Sequence, residues 1–100
     1  MKFGLTEETI SKINNIFAKY PQIKEAILYG SRAKGNFKNG SDIDLALKGE
    51  ELNFSLINQI NLEIDDLLLP YSFDISILGQ ISNPDLLDHI KRRGVVFYCP

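Results

Sequence analysis

Between Asp42 and Lys48, Ile43, Leu45 and Leu47 alternate with Asp42, Asp44 and Ala46. A period of two belongs to an extended strand, because a helix would spread either set around its circumference. No other segment limits the fold so tightly. Three branched apolar side chains must lie in a core while two carboxylates share the opposite face. Upstream, Ala26-Ile27-Leu28-Tyr29-Gly30-Ser31-Arg32-Ala33-Lys34-Gly35 supplies a more continuously apolar strand, Glu25 to Tyr29, that runs into a glycine turn. The pair Asn39-Gly40 marks a second turn, which sets the start of the carboxylate strand.

The flanking sequence alternates helix and strand patterns. Thr6 caps a first helix in which Ile10, Ile13, Ile16, Phe17 and Tyr20 recur at helical spacing, and Pro21 marks its end. From about Asn53 to Leu69, Ile57, Ile60, Ile64, Leu67 and Leu68 predict one apolar helix stripe, which Pro70 stops. Phe73 to Leu78 alternates again, with Asp74 facing opposite to Phe73 and Ile75. The last helix has Asn83 as cap, Pro84 and Asp85 in its first turn, and Lys91, Arg92 and Arg93 before Gly94. A short strand, Val95 to Tyr98, follows. With no repeat, low-complexity tract or linker in sight, the pattern predicts a single α/β (α+β) domain over residues 1–100. Its expected form is a small mixed sheet of about four strands with helices packed against it.

Composition narrows the setting. The chain is 44% apolar and 24% charged, and no apolar run approaches the ~18 residues of a membrane span. Met1-Lys2-Phe3-Gly4-Leu5 passes at once into a polar helix pattern rather than a secretory h-region, so a cytoplasmic location is expected. A lone cysteine, Cys99, excludes an internal disulfide framework and a cysteine-rich zinc site. The net charge of −2 argues against a duplex nucleic-acid surface and favours a nucleotide over a long polymer as substrate.

The chemistry gathers on the carboxylate face. Asp42 and Asp44, two residues apart on one strand, stand roughly 6–7 Å apart at the backbone, a spacing suited to shared ligation of two divalent cations. Asp74 is the candidate third acid, because it is the one carboxylate in an otherwise apolar strand and would be costly there without a metal or hydrogen-bond partner. Gly30 lets backbone approach a phosphate closely, and Ser31 offers a hydroxyl and an amide. Ten residues, Arg32 to Ser41, separate that Gly-Ser turn from the paired acids. Three aspartates with two metals could grip a nucleoside triphosphate and neutralise an in-line displacement at its α-phosphorus.

The run Tyr29-Gly30-Ser31-Arg32-Ala33-Lys34-Gly35 through Ser41-Asp42-Ile43-Asp44 resembles the signature of the minimal nucleotidyltransferases of the DNA polymerase beta superfamily. The resemblance implies a nucleotidyltransferase fold in which Gly30 and Ser31 bind the triphosphate. It also implies that Asp42 and Asp44 bind both Mg2+ or Mn2+ ions, and that Asp74 binds the catalytic ion and helps activate an acceptor hydroxyl. Small members of the family are often paired with a helical HEPN-domain protein, and some act as antitoxins by transferring AMP from ATP to a tyrosine of that partner. A HEPN-type partner is thus implied, and association with further copies of the chain stays open.

Other groups keep two readings. Arg32, Lys34 and Lys38 either line a phosphate entrance or form a solvated basic loop. His89, with no second His, Cys or paired acid at regular spacing, reads as an exposed helix residue. Lys91, Arg92 and Arg93 complement the helix dipole before they serve any partner. The leading reading is a metal-dependent enzyme that moves a nucleoside monophosphate, AMP from ATP, to a hydroxyl of a protein or small molecule. The alternative is a non-catalytic module that masks a partner protein and uses the pocket for a regulatory nucleotide. A phosphodiesterase or nuclease with the same acids leaves the Gly-Ser turn without a role.

Overall fold

The computed structural model describes residues 1–38 and 40–100. In chain order they form α1 (Glu7–Phe17), β1 (Ile23–Tyr29), α2 (Ser31–Lys34), β2 (Ile43–Gly49), α3 (Phe54–Asp65), β3 (Phe73–Ile77), α4 (Pro84–Arg93) and β4 (Val95–Tyr98). A single 3-10 turn, Leu78–Gln80, links β3 to α4. The strands lie in the order β3-β2-β1-β4, with β1 antiparallel to both β2 and β4, and β2 parallel to β3. That parallel pair is the reason α3 exists where it does, since two parallel neighbours need a crossover between them. The mixed four-stranded sheet with packed helices is the fold class the sequence predicts.

Both faces of β2 are used as its alternation requires. Ile43, Leu45 and Leu47 are fully buried in a core with Ile13, Ile16 and Phe17 of α1 and Ile57, Ile60 and Ile64 of α3. On the opposite face Ala46 meets Tyr29 and Ile90, the latter from α4. Two helices therefore cover one side of the sheet, and α4 covers part of the other. The helix starts follow the predicted caps: Thr6 Oγ1 accepts from the Thr9 amide, Asn53 Oδ1 from Leu56, and Asn83 Oδ1 from Asp85 and Leu86. No helix among the described residues is long and apolar enough to cross a membrane.

Several boundaries differ from the sequence reading. α3 stops at Asp65 rather than Leu69, and Leu67 and Leu68 close the end with bonds to the carbonyls of Ile64 and Asp65. The last helical turn holds no basic residue, and Asp65 and Asp66 put negative charge at the negative end of the helix dipole. Leu68 leaves the expected stripe altogether, at φ +55° and 88% exposed, whereas Leu67 and Leu69 pack on the core. β3 ends at Ile77, where the 3-10 turn takes Leu78, and β2 begins at Ile43, one residue after Asp42. In the predicted Asn39-Gly40 turn, Asn39 lies outside the described residues. Gly40 has φ +84°.

The loop before β2 is held by a residue that the sequence left between two surface roles. Arg32 is 2% exposed. Its Nε and Nη2 donate to the Ser41 carbonyl at 3.1 and 2.9 Å, and Nη1 donates to the Phe3 carbonyl at 2.8 Å. The guanidinium also lies 5.2 Å from the Phe37 ring centroid and 4.9 Å from that of Tyr71. Arg32 thus neither lines a phosphate entrance nor joins a solvated loop; it clamps the chain next to Asp42. Removing the donors leaves two carbonyls short of partners, each worth about 1–3 kcal/mol when buried. Arg32→Met is therefore expected to lose about 3 kcal/mol in urea unfolding, and a loss under about 0.5 kcal/mol would contradict the clamp.

Candidate active site

Strand register brings the acids together. Tyr29 of β1 pairs with Asp44 of β2, and Asp44 pairs in turn with Asp74 of β3. The three form one row across three strands, on the sheet face that α4 partly covers. Neighbouring strands lie about 4.8 Å apart, so the Asp44 and Asp74 backbones are close neighbours. Asp42 precedes β2 by one residue and is exposed, Asp44 is half-buried, and Asp74 is exposed. The exposure of Asp74 corrects the reason given for it: its strand partner is the expected one, but no burial penalty demands a ligand there.

Electrostatics ties the acids to each other. Burial raises the Asp44 carboxyl above the ordinary carboxylate range, and the charges of Asp74 and Asp42 raise it further. The Tyr29 phenol is likewise raised, by burial first and then by Asp74 and Asp44. As placed, no three His, Cys, Asp or Glu side chains among the described residues gather tightly enough to hold an ion. The donor set nevertheless suits a hard divalent cation, because it is made of carboxylate oxygens whose mutual repulsion such a charge relieves.

Gly30 shows why the turn needs its residue type. At φ +79° it occupies backbone space that side chains disfavour, and a Cβ there would sit 2.4 Å from Asp44 Oδ2. The room expected to admit a phosphate is taken by the Asp44 carboxylate. Nor is the Gly30 amide free, since it donates to His89 Nε2 at 3.0 Å. Ser31 follows as the first residue of α2, a position whose amide has no partner inside the helix.

His89 is the residue the sequence reading missed. It is half-buried, and its ring meets Tyr29 edge-on at 6.3 Å between centroids. A signal existed: Leu86, His89 and Ile90 follow i, i+3, i+4 spacing, which puts the histidine on the inward stripe of α4. The loop cations, by contrast, separate. Lys34 lines a cavity of about 410 Å³ with His89, Arg92 and Arg93, while Lys38 lines another of about 260 Å³ with Gly4, Arg32 and Tyr71. A third cavity, about 450 Å³, runs beside α4 between Ile27, Leu87 and Val96 and contains none of the three aspartates.

The sequence model of the family described as polymerase beta, nucleotidyltransferase matches residues 11–100, all four strands and all three aspartates included. The chain belongs to that family. Among curated proteins, none matches it. Of solved structures, a toxin–antitoxin complex with AMP-PNP superposes with a TM-score of 0.72 at 22% identity, over 96% of this chain and 75% of the other. The MNT antitoxin complex with tri-AMPylated HEPN toxin from Shewanella oneidensis gives 0.69 at 17% identity, over 96% and 74%. A structure of a protein from Sulfolobus solfataricus gives 0.55 at 18% identity, over 96% and 91%. At these identities the likeness shows that this nucleotidyltransferase shares their fold.

The raised Asp44 carboxyl has a direct consequence for stability. Because the folded state favours its protonated form, the carboxylate destabilises the fold at neutral pH. That penalty disappears as pH falls through the folded value toward the unfolded one, about 4. Asp44→Asn should therefore melt at a higher temperature than the native nucleotidyltransferase at pH 7, with the gap closing near pH 4. Equal melting temperatures at pH 7 would show that neither burial nor the neighbouring acids disfavour the Asp44 carboxylate.

Proposed function

We propose that this nucleotidyltransferase moves AMP from ATP to a hydroxyl with the help of divalent metal, and that the acceptor is a tyrosine of a helical HEPN-type partner, silenced by the modification. One observation carries the reading: Asp44, paired with Asp74, abuts the Gly30 turn, so acids and phosphate-binding backbone meet at one end of the sheet's strands. Asp42, Asp44 and Asp74 are the residues that would hold two Mg2+ or Mn2+ ions, whose chemistry is to neutralise charge at the α-phosphorus and acidify the attacking hydroxyl. The Ser31 amide and hydroxyl receive the outer phosphates. Asp74, exposed on the edge strand β3, is open to an acceptor approaching from that edge, and it orients the incoming hydroxyl. The hydroxyl oxygen bonds to the α-phosphorus as the bond to the bridging oxygen breaks, and pyrophosphate leaves with that electron pair. The hydroxyl proton passes to a carboxylate or to water.

The choice of acceptor draws on the neighbours. In the Shewanella oneidensis complex an MNT antitoxin is seen with a tri-AMPylated HEPN toxin. The open surroundings of Asp74 leave one wall of an acceptor pocket to be supplied by a second protein, consistent with such a partner.

Calorimetry with ATP, with and without Mg2+, tests the nucleotide site: metal should strengthen binding in the native chain and do nothing in Asp42→Asn, Asp44→Asn. Asp74→Asn, nearly unchanged in volume, should bind ATP but slow transfer by roughly 10^2-fold or more. Native rates in that variant would remove Asp74 from catalysis. Co-expression with a helical neighbour-gene product, then ATP, Mg2+ and intact-mass measurement, tests the acceptor. A partner that binds but gains no AMP would favour the masking module instead.

A further inference from the structure

Gly30 is held from three sides. Its carbonyl accepts from the Lys34 amide at 3.1 Å, its Cα faces the Asp44 carboxylate, and its amide donates to His89 Nε2 at 3.0 Å. The first two restraints come from α2, which follows the turn directly, and from β2, the strand paired with β1. Only the third comes from a distant element, α4, fifty-nine residues along the chain. A glycine at positive φ has more freedom than any other residue, so a turn built on it keeps its shape only as far as its neighbours hold it. His89 is itself held: Ile90, next to it on α4, is buried against Tyr29 and Ala46, and the imidazole lies against the Tyr29 ring. Because Nε2 accepts, the neutral ring carries its proton on Nδ1, so the contact fixes the tautomer as well as the turn.

We propose that His89 is a positioning residue of the nucleotide site, acting through the Gly30 amide. The bond locks the turn so that the Ser31 amide and hydroxyl face the incoming phosphates while the Asp44 carboxylate stays seated over Gly30. The occupied amide means that His89 organises the turn from behind and that Ser31, not Gly30, provides the first backbone donor to the nucleotide. This consequence for binding rests on the nucleotidyl-transfer reading. The contact that produces it does not.

Two substitutions separate the bond from simple packing. His89→Phe keeps a ring against Tyr29 but offers no acceptor, and His89→Gln restores an acceptor on a different frame. The first readout needs no nucleotide: the Gly30 amide resonance and its hydrogen-exchange rate, followed by 15N NMR. Exchange should quicken about tenfold or more in His89→Phe and return toward the native rate in His89→Gln, with melting temperatures of all three chains recorded alongside. The second is calorimetry with Mg2+ and AMP-PNP, where His89→Phe should bind roughly tenfold more weakly and His89→Gln within about threefold of native. A folded His89→Phe with native Gly30 exchange, or with native or tighter AMP-PNP binding, would overturn the proposal. If the native chain bound no AMP-PNP at all, the nucleotide reading would fall, and the Gly30 exchange comparison would still decide whether His89 holds the turn.

Discussion

The site depends on one close approach, the Asp44 carboxylate lying over Gly30. It fixes the residue type at the end of β1, because a Cβ at position 30 would collide with Oδ2. It also fixes how β1 and β2 must align, since Asp44 reaches Gly30 only when paired with Tyr29. A slip of one residue would turn both aspartates into the core and Ile43, Leu45 and Leu47 out of it. The hydrophobic pattern of β2 and the chemistry of its other face are thus enforced by the same register.

Support for that register is uneven. On one face α1 and α3 bury six isoleucine and phenylalanine side chains between them. Lys19 and Tyr20, just past α1, reach Glu63 of α3 and tie the outer ends of this layer together. On the face that carries the acids, α4 buries Ile90 alone. What α4 lacks in apolar contact it makes up in direction, through His89. The entrance to β2 is fixed differently again, by the Arg32 guanidinium gripping Ser41. Each restraint acts on a different neighbour of the acid row.

Much of this could be read in the residues, for physical reasons that differ by element. The β2 alternation, the caps at Thr6, Asn53 and Asn83, and the place of Asp74 are local properties, visible within a few positions of sequence. Arg32 was misread because a charged side chain is seldom buried without an acid, and carbonyls and aromatic faces that satisfy it are silent in sequence. His89 was misread because its partner is remote, although the spacing from Leu86 to Ile90 pointed inward. The end of α3 was overrun because an apolar stripe says nothing about the charges that stop a helix. For Asp74 the expected position was right and the argument from burial was not.

Asp74 also has a bearing on solubility. Among the described residues, β3 is an outer strand with one of its edges paired in the sheet. An open edge is a template on which another chain can stack, and Phe73, Ile75 and Ile77 are the kind of residues that favour such growth. A solvated carboxylate between Phe73 and Ile75 works against edge-to-edge assembly, so the acid proposed for chemistry also guards the sheet against aggregation.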